Sequence, residues 1–213
     1  MSLKQSFPLL ETRGLLIVFE GCDKTGKSTQ CKLLFEELKQ KNIEVRMINF
    51  PNRTTQTGKL IDQYLKGKIY LSDEDIHILF SKNRWEIIDT IKTNILNGIT
   101  VIIDRYSYSG IAFSVAKGLD FQWCKQTENG LLKPDIIIYL TGQTKNMASR
   151  NGYGSEIYER IEIQDKVKKC YEKMIEIPLW NKINADQDVL IIKKQIETII
   201  QKFSLENNKL EYI

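Results

Sequence analysis

Apolar runs at 15–20, 45–49, 100–104, 136–140 and, more weakly, 182–185 alternate along the chain with longer stretches in which apolar positions recur every three to four residues. The short runs are continuous rather than alternating, as expected of parallel strands covered on both faces. The periodic stretches predict helices over 27–40, 58–65, 73–97, 155–176 and 189–203. Strand and helix in alternation imply an α/β domain of about five parallel strands wrapped by helices, with ligands outside the carboxyl ends of the strands. The helix over 73–97 carries more apolar surface than one sheet contact takes. Ile76, Leu79, Phe80, Ile87, Ile91 and Ile95 form a stripe that Ile78, Trp85, Ile88 and Leu96 widen. Burial under neighbouring helices is one reading. A homodimer face, shared with the shorter helix near Leu60, is the other and is the expectation adopted.

Between the first strand and the first helix lies Gly21-Cys22-Asp23-Lys24-Thr25-Gly26-Lys27-Ser28-Thr29, the G-x-x-x-x-G-K-S spacing of a phosphate loop. The chemistry explains each residue type. Gly21 and Gly26 let the backbone wrap a phosphate chain with its N–H groups inward, Lys27 brings a point charge to the outer phosphates, and Ser28 offers a hydroxyl to Mg²⁺. The helix that follows adds its positive end.

Composition narrows the class. The 213 residues make one enzyme-sized domain, expected over 14–213, after a polar leader at 1–13 without the features of a signal peptide. A net charge of +4, from 31 basic against 27 acidic residues, is too small to argue for nucleic acid. No apolar run reaches the roughly 18 residues that cross a bilayer, so no membrane partner is expected. Cys22, Cys31, Cys124 and Cys170 lack metal or disulfide spacing, which favours a reducing, cytoplasmic setting.

Further candidates gather near strand ends and on the 73–97 helix. Asp104, ending the third strand, stands where a Walker-B carboxylate would hold Mg²⁺. Arg53 and Arg105 follow the second and third strands and so can converge on a phosphate. Phe80 and Arg84, four apart, share a helix face and suit a nucleobase, the ring by stacking and the guanidinium by bonding a carbonyl edge. Alone, they would equally be a core Phe beside a surface Arg. His77, the single histidine, is read as structural.

Taken together, residues 19–30, Phe50-Pro51-Asn52-Arg53, 79–86, 104–110, Lys133-Pro134-Asp135 and Glu156-Ile157-Tyr158-Glu159 resemble thymidylate kinase, most of all the eukaryotic and poxvirus type. The resemblance runs in order from residue 15 to about 186. It implies a P-loop nucleoside monophosphate kinase fold with a short lid at about 144–160, and ATP-dependent phosphorylation of dTMP to dTDP with Mg²⁺. It further implies that Phe80 stacks on thymine, Arg84 bonds the base edge, Arg53 and Arg105 clamp the dTMP phosphate, and Asp23 takes the 3′-hydroxyl. Phe50, Ser109, Gly110, Phe113, Ser114 and Tyr158 line sugar and base, with Gln164 a looser match, and Phe113 crowds a ribose 2′-hydroxyl. Arg150 would open the lid over adenine.

The chain departs from the eukaryotic pattern in carrying Lys24 where an arginine usually acts on the transferring group. A lysine keeps the charge and loses the planar fork. Catalysis is therefore expected from Asp23, Lys24, Lys27 and Arg105. Two other classes stay in view. A deoxynucleoside kinase would use a carboxylate such as Glu20 as base, and a GTP-dependent switch would need a guanine-reading element, which Asn181-Lys182-Ile183-Asn184 nearly supplies.

Overall fold

A computed structural model describes residues 13–148, 154, 156–175, 179–203 and 209–213. The leader before Arg13, residue Arg150 and most of the middle of the expected lid lie outside the described residues. Arg13 is buried, its guanidinium bonding both carboxylate oxygens of Asp135 at 2.7 and 2.9 Å.

The apolar runs form a five-stranded, all-parallel sheet in the order β2-β3-β1-β4-β5, with β1 Leu16–Glu20, β2 Val45–Asn49, β3 Thr100–Asp104, β4 Ile136–Thr141 and β5 Trp180–Asn184. Every residue of β1, β3 and β4 is buried, which is why these runs lack polar alternation. Register places Phe19 beside Asp104 and Glu20 beside Tyr139, so the carboxyl ends of the three central strands open on one edge. The chain leaves β1 towards β2 and leaves β3 towards β4 on the other side, and this reversal opens a crevice over β1.

α1 (Lys27–Gln40) and α9 (Val189–Lys202) cover one sheet face through Cys31, Leu34, Leu38, Ile192, Ile196 and Ile200. On the other side stand α2 (Gln56–Leu65), α3 (Asp73–Trp85), α4 (Ile88–Leu96) and α5 (Ser107–Ala116), followed by the short α6 (Phe121–Gln126), with α7 (Thr144–Ala148) and α8 (Ile161–Met174) further along the chain. The sequence pattern missed α5, α6 and α7. The composition of α5, with Ser107, Ser109, Gly110 and Ser114, shows little amphipathic contrast because the helix is buried nearly all round.

The single helix expected over 73–97 is two. The chain breaks at Glu86 and Ile87, where Ile87 takes φ −124° and ψ 8°. The break re-aims the apolar stripe: Ile88, Ile91 and Ile95 pack on Val101 and Ile103 of the sheet, while α3 turns Ile76, His77, Ser81, Asn83 and Arg84 inward towards α2 and α5. One straight helix cannot direct both faces. The helix expected from 155 starts at Ile161, because 156–159 form turns that carry Glu156, Tyr158 and Glu159 to the crevice. Among the described residues no helix is long and apolar enough to cross a membrane.

Candidate active site

The phosphate loop is built by backbone geometry. Gly21 has φ 142° and a Cβ there would lie 2.2 Å from the Leu140 carbonyl oxygen, so only glycine lets the loop leave β1 against β4. Gly26 is left-handed at φ 92° and starts α1 with no side chain capping it, unlike α2, α3, α6 and α9, which Thr55, Ser72, Asp120 and Asp188 cap. The first N–H groups of α1 thus stay open to an anion. Lys27 bends back over the loop, donating to the Cys22 carbonyl at 2.6 Å and to Thr25 Oγ1 at 3.3 Å. Burial, reinforced by Arg105, brings its ammonium down to about 8 against the partial support of Asp104 and Asp23. Lys24 is left-handed at φ 58° and pairs with Glu159 at 3.3 Å.

Next to the loop, Ser28 Oγ donates to Asp104 Oδ2, while Asp104 Oδ1 is buried without a hydrogen-bond partner. An orphaned carboxylate oxygen beside a hydroxyl, at the foot of a phosphate loop, fits a hard divalent cation. Arg105, left-handed at φ 67°, donates to the Gly21 carbonyl at 2.9 Å, to Ser109 Oγ at 3.2 Å, and to Asp23 Oδ1. Burial opposes its charge, but Asp23, Asp104 and Glu20 outweigh burial and raise its pKa further. Lys24 and Arg105 are two of only three described non-glycine residues in the left-handed region. Backbone held there is supported by its surroundings and tends to mark sites of function.

Glu20 is fully buried and used internally. It accepts from the N–H groups of Tyr106 and Ser109 at 2.9 and 3.1 Å, from Ser109 Oγ, and from the Tyr171 hydroxyl at 2.8 Å. This carboxylate anchors the start of α5 and has no free lone pair facing the crevice. The Asn181-Lys182-Ile183-Asn184 segment forms β5, paired to β4, with Asn181 turned to the carbonyls of Ile137 and Leu179. Neither alternative reading has its key residue available.

The crevice encloses about 540 Å³. On its far side from α1, Arg53 pairs with Asp62 and Glu156, each at 2.5 Å, and its guanidinium is held above the ordinary range by these carboxylates in spite of burial. The loop carrying it is clamped by Asn83, which accepts the Asn52 N–H at 2.7 Å and donates to the hydroxyls of Thr55 and Thr57 at 2.9 Å. Gly58 permits this tight turn, since a Cβ there would sit 1.8 Å from the Asn52 carbonyl oxygen. Phe80 lies half-buried on the crevice wall, and Arg84, only 2% exposed, is gripped by a fully buried Glu128 through Nε at 2.8 Å and through Nη2. Gly110 leaves room for that arginine, for its Cβ would fall 2.6 Å from Arg84 Nη2. Phe113 packs between the Arg105 guanidinium, 5.3 Å from its ring centre, and Tyr158, at 5.5 Å between rings.

The structure brings most of the sequence-derived candidates to this one crevice: Asp23, Lys24, Gly26 to Thr29, Phe50, Arg53, Phe80, Arg84, Asp104, Arg105, Ser109, Gly110, Phe113, Ser114 and Tyr158. Gly21, Cys22 and Thr25 belong to the loop but do not line the crevice, and burial drives the Cys22 thiol up to about 11. Gln164 does not reach the crevice. It braces Asp23 from behind, donating to Oδ2 at 2.6 Å and accepting the Asp23 N–H at 2.8 Å. Sequence reading missed Glu128, and it placed Asn83, Glu156 and Glu159 in motifs without giving them a role. Asn83 and Glu128 work through other side chains, and no spacing rule links positions 84 and 128.

A phosphate loop beside an open carboxylate, facing an arginine and aromatic half-site across one crevice of a five-stranded parallel sheet, defines a P-loop nucleoside monophosphate kinase. A family model described as Thymidylate kinase matches residues 19–196. The chain belongs to the thymidylate kinase family. It is 50% identical over 164 residues to the thymidylate kinase of Schizosaccharomyces pombe, covering 77% of this chain and 78% of that protein. With the human thymidylate kinase it shares 37% identity over 190 residues, 88% of this chain and 90% of the other. The solved structure of thymidylate kinase from Candida albicans superposes with a TM-score of 0.86 at 34% identity, covering 95% of this chain and 99% of that one.

Proposed function

We propose that the crevice carries out the family's reaction by holding ATP on the α1 side and dTMP on the α3 side, so that a dTMP phosphate oxygen faces the γ-phosphorus. The chain phosphorylates dTMP to dTDP with ATP, a step towards dTTP. The observation that carries our assignment of the two half-sites is the convergence of the uncapped α1 terminus and the arginines Arg53 and Arg105 on one crevice. In the transfer, the acceptor oxygen forms a bond to the γ-phosphorus as the bond from that phosphorus to the leaving ADP oxygen breaks. No base is needed, because the acceptor phosphate is ionised at neutral pH.

In this reading Lys27, Lys24 and the loop N–H groups neutralise charge on the transferring group, and Arg53 and Arg105 hold the acceptor phosphate. Asp23, fixed by Arg105 and Gln164, presents to the sugar hydroxyl. Phe80 and Arg84 take the base, while Phe113 closes the space beside the 2′-carbon. Ser28 and Asp104 would hold Mg²⁺, which supplies charge neutralisation at the donor phosphates. Lys24 takes over the loop arginine's role, its amine steered by Glu159. By the same family pattern Arg150, which lies outside the described residues, is assigned to the ATP side.

Leu60 and Ile78, 41% and 37% exposed on α2 and α3, support a homodimer through these two helices. The four free cysteines support a reducing compartment such as the cytoplasm. A coupled assay of ADP release with ATP against each nucleoside monophosphate tests the functional reading. dTMP is expected to give the highest kcat/KM, and preference for an unphosphorylated nucleoside would overturn it.

A further inference from the structure

His77 is fully buried on α3, behind the crevice wall, and its ring is packed on Trp123 with 5.1 Å between centres. Its Nε2 lies 2.9 Å from Thr127 Oγ1 and 3.3 Å from the Cys124 carbonyl oxygen. The single hydroxyl hydrogen of Thr127 is already committed, since Oγ1 donates to the Cys124 carbonyl at 2.9 Å, with the Glu128 carboxylate its other neighbour at 3.2 Å. Both of those partners only accept, and the Cys124 carbonyl faces Nε2 as well, so the arrangement that keeps the Thr127 hydrogen on that carbonyl puts a hydrogen on Nε2. Burial favours the neutral ring and prevails over Glu128 and the Cys124 and Gly110 carbonyls, which favour charge, while Arg84 acts with burial. With the hydrogen on Nε2, Nδ1 is a bare lone pair that a hydroxyl can satisfy and the Gly110 carbonyl cannot. Ser114 Oγ stands 2.8 Å from it and lines the crevice.

We infer that His77 fixes the Ser114 hydroxyl as a hydrogen-bond acceptor towards the crevice, and thereby selects an acceptor base bearing an imide N–H beside a carbonyl over one bearing a ring acceptor beside an amine. The serine has one hydrogen and spends it on Nδ1, so only lone pairs face the ligand. The Arg84 guanidinium, which lies against Gly110 one turn earlier on α5 and lines the same crevice, can only donate. A donor-plus-acceptor pair of this order complements the N3–H and carbonyl of thymine or uracil. Cytosine presents the reverse order and meets a mismatch at both positions. The sequence gives no sign of this role, because a lone histidine on a helix says nothing about the hydroxyl it orients. His77 is a positioning residue here and touches no ligand. The inference rests on the acceptor-site reading above, and its test separates the two.

The chain has a single histidine, so ¹⁵N-labelled protein at neutral pH gives one pair of ring-nitrogen signals. A protonated Nε2 and a bare Nδ1 are expected, and an imidazolium or the opposite tautomer overturns the inference without any variant being made. In kinetics, His77→Phe frees the hydroxyl to rotate and is expected to lower the ratio of kcat/KM for dTMP to that for dCMP by about tenfold, with KM for ATP unchanged. Ser114→Ala weakens dTMP use, and adding His77→Phe to it leaves the ratio where Ser114→Ala put it. An unchanged ratio in folded His77→Phe refutes the tautomer argument alone. Unchanged dTMP kinetics in Ser114→Ala refutes the acceptor site itself.

Discussion

Glu128 holds Arg84 by two parallel hydrogen bonds, the carboxylate fully buried and the arginine only 2% exposed. The pair fixes the plane of the guanidinium, which leaves its remaining donor edge for the crevice. Arg84→Ala is therefore expected to raise KM for dTMP much more than KM for ATP, since only the acceptor loses a partner. Glu128→Ala leaves a buried cation unpaired and should cost about 3–5 kcal/mol of folding stability. Denaturant melts of both variants, beside KM values for both substrates, check this. Equal losses for donor and acceptor in Arg84→Ala would show the base site to be misplaced.

Lys27 gives a pH-dependent prediction. The unfolded chain keeps that proton up to 10.5, the folded, ligand-free protein only to about 8. Its proton is thus a liability to the free fold, fully present below about 8 and gone once pH passes 10.5. Phosphates bound beside the amine restore its charge, so ATP binding near pH 8 should take up a fraction of a proton. Calorimetry in buffers of different ionisation enthalpy measures that uptake, which Lys27→Met should abolish. Lys27→Ala should also lower kcat by about 100- to 1,000-fold in a folded protein.

Asp104 Oδ1 has no partner of its own, so Asp104→Asn is expected to keep the hydrogen bond with Ser28 while losing charge for a cation. Activity should fall and the Mg²⁺ concentration giving half-maximal rate should rise. A Mg²⁺ titration superimposable on the parent's would remove Asp104 from the metal site.

Phe113 lies against Arg105 and Tyr158 without a polar atom of its own. Phe113→Ala should narrow the preference for dTMP over ribothymidine monophosphate, because exclusion of the 2′-hydroxyl depends on bulk and on the lack of any partner for that group. The ratio of the two kcat/KM values is the readout, and an unchanged ratio argues that another side chain guards the sugar.

A dimer through α2 and α3 buries Leu60 and Ile78. Sedimentation of the parent should give twice the subunit mass at micromolar concentration, and Leu60→Glu with Ile78→Glu should give the monomer. A monomeric parent ends this reading.

The sequence determined the parts that depend on local order. Continuous apolar runs encode strands buried on both faces, and the spacing from Gly21 to Ser28 encodes a loop whose backbone does the binding, so both are legible without a structure. Phe80 and Arg84 were likewise visible as a pair, because helix geometry sets neighbours four residues apart. Only the tertiary structure decided how that pair is buried. It inverted the ordinary expectation by burying the arginine and half-exposing the ring, since Glu128, 44 positions away, compensates the buried charge. The same holds for the break at Ile87, for Glu20 drawn inward by α5, and for Gln164 behind Asp23. Each depends on contacts between elements distant in the chain, and no periodicity along the chain records which of its surfaces will meet.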